Sequence, residues 1–409
     1  MKKLIGPFKQ ILTLAALPLK GSLFDDQLEI IIDGGVLLTE RGLISAVGKF
    51  DDLRLQYSNA TIEEITGNYV LLPGFIDCHT HICFAGNRSK DYALRIAGKS
   101  YLEITKAGGG IWDTVTQTRL ADEQTLLDGL LKRINQHLSE GVTTIEVKSG
   151  YGLNAEQELK QLRVIREAAK LTKAELIPTC LAAHMLPGDF EGGKKQYLQY
   201  IINDLLPVVR HEKLSNRVDI FIERSAFDTE NAKAYLLAAK QMGFRITVHA
   251  DQFTSGGSQV AVEVGAVSAD HLEYSGNEDV ELLAASRTVA VALPGASLGL
   301  GMPFAPVAKL LGSGACVAIA SDWNPGSAPM GDLLLQASVL AAAEKLTTAE
   351  VFAGLTFRAA KALRLNNRGI ITTGKVANMQ AYPCTDYREI LYYQGKLKPG
   401  IVWKKGAVV

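Results

Sequence analysis

What this chain lacks narrows it first. Its 409 residues include only five cysteines, Cys78, Cys83, Cys180, Cys316 and Cys384, an odd number, scattered and set mostly among apolar neighbours. No disulfide framework is therefore expected, and buried thiols in a reducing compartment are. Neither sign of charge is in excess, since 43 Lys and Arg balance 43 Asp and Glu. Without a long-range field to attract nucleic acid or an anionic membrane, the expected partner is a small-molecule substrate. No apolar run reaches the ~20 residues a spanning helix needs. The N-terminus has two lysines but no sustained apolar core or cleavage site before Asp25, so a secretory signal is not expected and the protein reads as cytoplasmic. Repeats and low-complexity segments are absent. Gly108-Gly-Gly110 has no Gly-Lys-Ser/Thr after it and belongs to no GxGxxG, so it reads as a flexible loop that closes over substrate and not as a phosphate cradle.

What is present is an alternation of short β-branched or apolar runs with longer helix-like segments between about Val70 and Asp322. The runs are Leu71–Cys78, Val142–Val147, Leu176–Ala183, Val218–Ile222, Arg245–Val248, Ala266–Asp270, Thr288–Leu293 and Val317–Ser321. Eight βα units in about 250 residues predict an α/β fold, a closed (β/α)8 TIM barrel. Asn154 followed by Glu158, Leu159, Leu162, Ile165 and Ala169 reads as a capped helix with an apolar stripe, and Thr347-Thr-Ala-Glu350 as a capping box opening a helix to about Leu363. The two ends differ: Leu28–Phe50 and the stretch after Gly369 read as short strands. Each is too short to bury a core alone, so residues 1–66 and 367–409 are expected to form one composite β-sandwich domain, with 67–366 as the barrel inserted between them.

In such a barrel, residues just after each strand converge on one mouth. Here they are His79 and His81, Lys148, His184, Glu223, His249, His271 and Asp322, which brings five of the seven histidines together. His79 and His81, two apart on an extended segment, face the same side and give one cation two nitrogen ligands; His249 and Asp322 complete three nitrogens and one carboxylate oxygen. That set leaves a position for water, whose pKa a divalent ion brings near neutrality. Three imidazoles and a carboxylate suit one Zn2+ or Fe2+ per chain. His137 and His211 lie in helix-like segments and are assigned to surface or packing, while Lys148 and Glu223 read as a barrel-mouth ion pair.

Pro73-Gly-Phe-Ile-Asp-Cys-His-Thr-His81 resembles the strand-one signature of the amidohydrolase superfamily. Phe84-Ala-Gly-Asn-Arg88, Gly108-Gly-Gly-Ile111, Glu146-Val-Lys-Ser-Gly-Tyr-Gly-Leu153, His249-Ala-Asp-Gln252, Ser268-Ala-Asp-His-Leu272 and Asp322-Trp-Asn-Pro-Gly-Ser327 together resemble the imidazolonepropionases. The resemblance implies a substrate, 4-imidazolone-5-propanoate, whose ring lactam is opened by metal-activated water to N-formimidoyl-L-glutamate in histidine degradation. It also implies roles. Asp322 or His271 receives the water's proton and returns it to the leaving nitrogen. His184, Arg88, Tyr151, Gln252, Asn324, Gly326 and Ser327 match the family's substrate-binding positions, with Arg88 the natural fork for the propanoate and Gly326 letting backbone N–H groups approach the ligand. Tyr101 is a weaker pocket candidate than Tyr151. Enzymes of this kind are often homodimers, although no interface patch stands out.

Three positions depart from the family pattern: Cys78 stands where a proline is expected, Trp112 follows the Gly-Gly-Gly-Ile stretch, and Ile222 precedes Glu223 where a cysteine is expected. They leave room for a related cyclic amide. A deaminase of the same superfamily, acting on an aminated heterocycle, would carry a glutamate three residues after the strand-five histidine, where this chain has Gln252. A binuclear enzyme resembling dihydroorotase would end strand four in a carboxylated lysine, where Glu223 stands. A non-catalytic relative would have lost ligands, and all four are present.

Overall fold

The computed structural model describes residues 2–99 and 101–409; the side chains of Tyr101, Leu102 and Thr105 lie outside the described set, so Tyr101 is not placed as a pocket residue. The chain opens with β1 (Lys3–Leu12), β2 (Ile30–Leu38), β3 (Ile44–Lys49), β4 (Thr61–Glu64) and β5 (Val70–Pro73). Then come β6 (Phe75–Asp77), β7 (Val142–Lys148), β8 (Glu175–Ala183), β9 (Arg217–Ile220), β10 (Arg245–Ala250), β11 (Ser268–His271), β12 (Val289–Ala292) and β13 (Val317–Ile319). The chain ends with β14 (Met379–Tyr382), β15 (Ile401–Lys404) and β16 (Ala407–Val408).

Strands β6 to β13 pair in sequential order, every pair parallel, as a (β/α)8 barrel requires. Their side chains are almost wholly buried because helices cover the outside and side chains fill the inside, which explains why the sequence runs are continuously apolar instead of alternating. The ring closes by backbone contacts past the ends of the first and last strands: Thr80 bridges Trp323, Asp322 N–H donates to His79 O at 3.1 Å, and His81 N–H donates to Trp323 O at 2.9 Å.

All eight sequence runs contain barrel strands, with one difference. Leu71–Cys78 is divided: Val70–Pro73 pairs with β1 and β14 outside the barrel, and only Phe75–Asp77 pairs with β7. Pro73 has no N–H for a ladder, and the chain changes sheets directly after it. The Asn154 cap is present, its Oδ1 accepting from Gln157 N–H at 2.9 Å at the head of Ala155–Leu171. The Thr347 capping box is also formed, but that helix stops at Leu355 and resumes at Phe357. Thr356 breaks it, with φ −128° and ψ −100° and its hydroxyl bonded back to Phe352 O.

The strands from both termini form one mixed eight-stranded sheet in the order β16-β15-β14-β5-β1-β2-β3, with β4 also on β1. Phe8, Val36, Leu38, Ile44, Leu71, Met379 and Trp403 share an apolar core separate from that of the barrel, so the sheet curls around its own interior. Among the described residues no helix is long and apolar enough to cross a membrane.

The sheet is tied to the floor of the barrel through Glu175 at the start of β8, whose Oε2 lies 3.1 Å from Lys404 Nζ and 2.6 Å from Arg368 Nη1. Burial pulls the Lys404 ammonium down to about 8 despite Glu175. Below that pH it is charged in folded and unfolded chains alike. Between about 8 and the ordinary lysine value near 10.4, the unfolded chain holds more protons, so this group's contribution to stability rises with pH. The stability difference between wild type and Lys404→Met is expected to shift toward wild type by on the order of 2 kcal/mol between pH 7.5 and 10. Denaturant titrations at several pH values check this; a constant difference would mean that Lys404 titrates normally in the fold.

Candidate metal centre and substrate cavity

The barrel mouth brings the strand-end histidines together. His79 is fully buried, and its Nδ1–H donates to Asp270 Oδ2 at 2.7 Å. His249 Nδ1 lies 3.0 Å from Asp219 Oδ2. Each carboxylate fixes the tautomer of its imidazole, so the Nε2 lone pairs of both rings face inward. They meet His81 Nε2, which stands 3.2 Å from His79 Nε2 and 3.2 Å from His249 Nε2; Asp322 Oδ1 completes the group at 3.5 and 3.4 Å from the nitrogens of His79 and His81.

These atoms repel one another unless a cation lies between them. Ligands about 2.1 Å from one tetrahedral ion stand about 3.4 Å apart, and the spacings here fit that geometry. Burial holds His79 and His81 well below the usual histidine range and takes His249 down to about 3 against the pull of Asp219, so all three are neutral, ligand-ready imidazoles at pH 7. Burial raises Asp322 to about 6, opposed by His271 and by the Asn324 hydrogen bond; a divalent cation beside it would lower it again. The donor set therefore fits a divalent metal.

The other expected site residues separate into cavity wall and support. A cavity of about 560 Å³ opens above the four ligands and is lined by Arg88, Tyr151, His184, Gln252, His271, Asn324, Gly326 and Ser327 among others. His184 donates from Nδ1 to Gly150 O at 3.0 Å, which leaves Nε2 as an acceptor. His271 sits at φ +90°, its ring beside those of His79 and His249 and its Nδ1 3.5 Å from Glu273 Oε1. Burial works against its protonation, but the carboxylates of Glu273, Asp322 and Asp270 together outweigh it and raise the pKa. Leu272 and Asp322 also have positive φ, at +76° and +52°, so backbone strain gathers at the strand ends where the site is built.

Two expected ligand contacts are already occupied. Asn324 Nδ2 donates to Asp322 Oδ2 at 2.9 Å and to Ser327 Oγ at 2.8 Å, so it orients the carboxylate. The N–H groups of Gly326 and Ser327, expected to reach a ligand, both donate to Asn324 Oδ1, at 2.7 and 2.8 Å. Gly326 makes room for a side chain instead: a Cβ there would lie 2.4 Å from Arg88 Nη1.

Lys148 sits in a barrel ion pair as expected, whereas among the described residues Glu223 does not. Lys148 Nζ lies 2.8 Å from Glu146 Oε1 and 2.9 Å from Asp219 Oδ2, all three buried. Glu223 clamps the turn after β10, accepting from Phe253 N–H at 3.1 Å and Thr254 N–H at 3.0 Å and so seating Gln252. His137 is wholly buried, its Nε2 3.1 Å from Asp77 Oδ2, while His211 is exposed. Cys78, Trp112 and Ile222, the three departures from the family pattern, are not among the described cavity-lining residues. Sequence reasoning missed Asp77, Asp219, Asp270 and Glu273. The signal was available for the three aspartates, each a carboxylate within a short apolar run, a residue type that is rarely buried without a partner.

Fold and site together define a metal-dependent amidohydrolase, and the model of the Amidohydrolase family matches residues 70–409. Among curated proteins the chain is 41% identical over 367 residues to an imidazolonepropionase of Paracoccus denitrificans, covering 89% of this chain and 92% of the relative. It is 38% identical over 387 residues to one from Fusobacterium nucleatum, covering 94% and 93%. The chain belongs to the imidazolonepropionase family. Solved structures at 16–17% identity share the fold: a zinc-bound adenosine deaminase from Xanthomonas campestris (TM-score 0.70, 99% of this chain and 92% of that one) and a zinc complex of atrazine chlorohydrolase from Arthrobacter aurescens (TM-score 0.70, 99% and 94%).

Replacing Asp270 by Asn removes the carboxylate that accepts the His79 Nδ1–H and holds its ligating tautomer, and is expected to lower metal affinity by about 10- to 100-fold. Competition against a chromophoric chelator measures this, with the melting temperature as a folding control. Unchanged affinity would show that the pair does not orient the ligand.

Proposed function

We propose that this protein hydrolyses 4-imidazolone-5-propanoate to N-formimidoyl-L-glutamate, with one Zn2+ or Fe2+ per chain held by His79, His81, His249 and Asp322. The observation that carries this reading is the meeting, in one cavity, of His81, His249 and Asp322, which close on the buried His79, with the Arg88 guanidinium in the wall. When bound, the divalent ion supplies the Lewis acidity that ionises water near neutral pH and polarises a carbonyl.

The chain's own groups do the rest. Arg88 receives the propanoate through guanidinium N–H groups other than the Nε–H that Asp91 holds. His184 Nε2 and the Gln252 amide face the heterocycle, with Tyr151 beside His184 at a ring distance of 5.7 Å. Oxygen of water bonds to the ring carbonyl carbon, the ring C–N bond breaks, and the water's proton passes to the departing nitrogen. Asp322 is the carrier best placed for that proton, since Asn324 and Ser327 hold its Oδ2 and leave Oδ1 toward the ligand nitrogens. His271, with Glu273 behind it, stands as the electrophilic or proton-donating partner on the opposite side. Gln252 carries no titratable proton, which disfavours deamination. Five buried free thiols suit a cytoplasmic setting, and a homodimer is the assembly we propose.

Loss of the substrate chromophore and formation of formimidoylglutamate, followed with and without chelator, test the reaction. Metal-dependent turnover is expected; a fully metallated protein without turnover would overturn the assignment. Asp322→Asn is expected to abolish turnover, and near-wild-type hydrolysis by that variant would remove Asp322 from the site. Arg88→Ala is expected to raise KM for the propanoate substrate by on the order of 10- to 100-fold while sparing a tail-less analogue. Equal effects on the two would refute tail recognition by Arg88.

A further inference from the structure

Arg88 is held from behind. Its Nε donates to Asp91 Oδ2 at 2.7 Å, and the same oxygen accepts the N–H of Gly110 at 2.8 Å. Asp91 is 4% exposed, and the glycine loop lies against it so closely that a Cβ on Gly109 would fall 2.2 Å from Asp91 Oδ1. On its other side Arg88 Nη1 packs on Gly326. Arg88 lines the cavity with its Nε–H already engaged, so the guanidinium is oriented before any ligand arrives. Further along the same helix, Ser89–Ile96, Arg95 Nη1 donates to Gly299 O at 3.1 Å and Gly326 O at 3.2 Å, which pins the helix to the loop that orients Asp322.

An exposed pair at this helical spacing would contribute a few tenths of a kcal/mol. This one is buried, and its acceptor oxygen bonds both Arg88 and the Gly108–Gly110 loop. We propose that Asp91 is a positioning residue that couples recognition of the substrate's carboxylate tail to seating of the Gly108–Gly110 loop. One oxygen accepts from both Arg88 and Gly110, so lifting the loop removes one of the two donors that hold the Asp91 carboxylate against the guanidinium. The proposal rests on the ring-opening reading for the identity of the tail, but its structural half is visible without substrate.

The experiment compares Asp91→Ala and Asp91→Asn with wild type and with Arg88→Ala. Amide exchange of residues 108–111 is followed in the metal-loaded, substrate-free enzyme, and KM and kcat are measured for the propanoate substrate and a tail-less analogue. Asp91→Ala is expected to speed exchange of the loop by about tenfold or more and to raise KM for the tailed substrate about tenfold, with kcat within about threefold and the analogue unaffected. Both hydrogen bonds fall on one oxygen, so Asp91→Asn keeps the acceptor and is expected to recover part of each effect. Unchanged loop exchange in Asp91→Ala, or an equal rise in KM for both substrates, overturns the coupling. If Arg88→Ala raises KM for the tailed substrate and Asp91→Ala does not, the coupling alone fails. If Arg88→Ala has no effect on that substrate, tail recognition fails and the coupling falls with it.

Discussion

One ammonium group makes the mouth of this barrel physically tenable. Asp219, Asp270, Glu146, Asp322 and Glu273 crowd the ends of adjacent strands, and Lys148 is buried among them with Glu146 on one side and Asp219 on the other. Burial alone would push Asp219 toward its neutral form, but His249 and Lys148 outweigh it and keep the carboxylate ionised, so it faces His249 Nδ1 as an acceptor. Glu146 in turn accepts the backbone N–H of Thr80, the residue between the two strand-one ligands, at 3.2 Å. A single cation thus fixes carboxylates on β7 and β9, and through them Thr80 after β6 and His249 on β10, while the His79 lone pair is set by Asp270 on β11. A buried ion pair is a poor source of net stability but a good determinant of geometry, and here the geometry is that of a metal site.

Much of this was legible in the sequence. Strands buried on both faces leave continuous apolar runs, and the polar residue that ends each run is visible because it interrupts them; His79, His81, His249, His271 and Asp322 were found in this way. The supporting carboxylates were harder. Asp270 stands next to His271 in sequence but serves His79 across the barrel, and Asp219 serves His249 from the neighbouring strand. Pairing of this kind depends on strand register, which no local pattern encodes. The same limit explains Lys148 and Glu223: both end strands, yet only the register tells that one reaches Asp219 and the other reaches the turn after β10. Asn324, Gly326 and Ser327 were picked out as ligand contacts, but Asn324 bonds Asp322, and the N–H groups of Gly326 and Ser327 bond Asn324. A loop motif reveals that a residue belongs to the site and not which neighbour it holds.

The cavity wall is built on a different principle from the floor. The floor consists of strand ends locked into the barrel, whereas Arg88, Asp91 and the glycine loop belong to a segment of short helices and turns laid across the opening. Among the described residues, none of the three departures from the family pattern lines the space between wall and floor: Cys78 and Ile222 are buried, and Trp112 is exposed.

The seam of the barrel passes through the ligands. Its first and last strands are joined at their ends by Asp322 N–H to His79 O and His81 N–H to Trp323 O, so the backbone bonds that complete the cylinder belong to the proposed ligands or to a neighbour of one. Opening the barrel along that line carries His79 and His81 away from Asp322. A divalent ion held by these three residues would bridge the same seam, and its binding would favour the closed cylinder over the opened one.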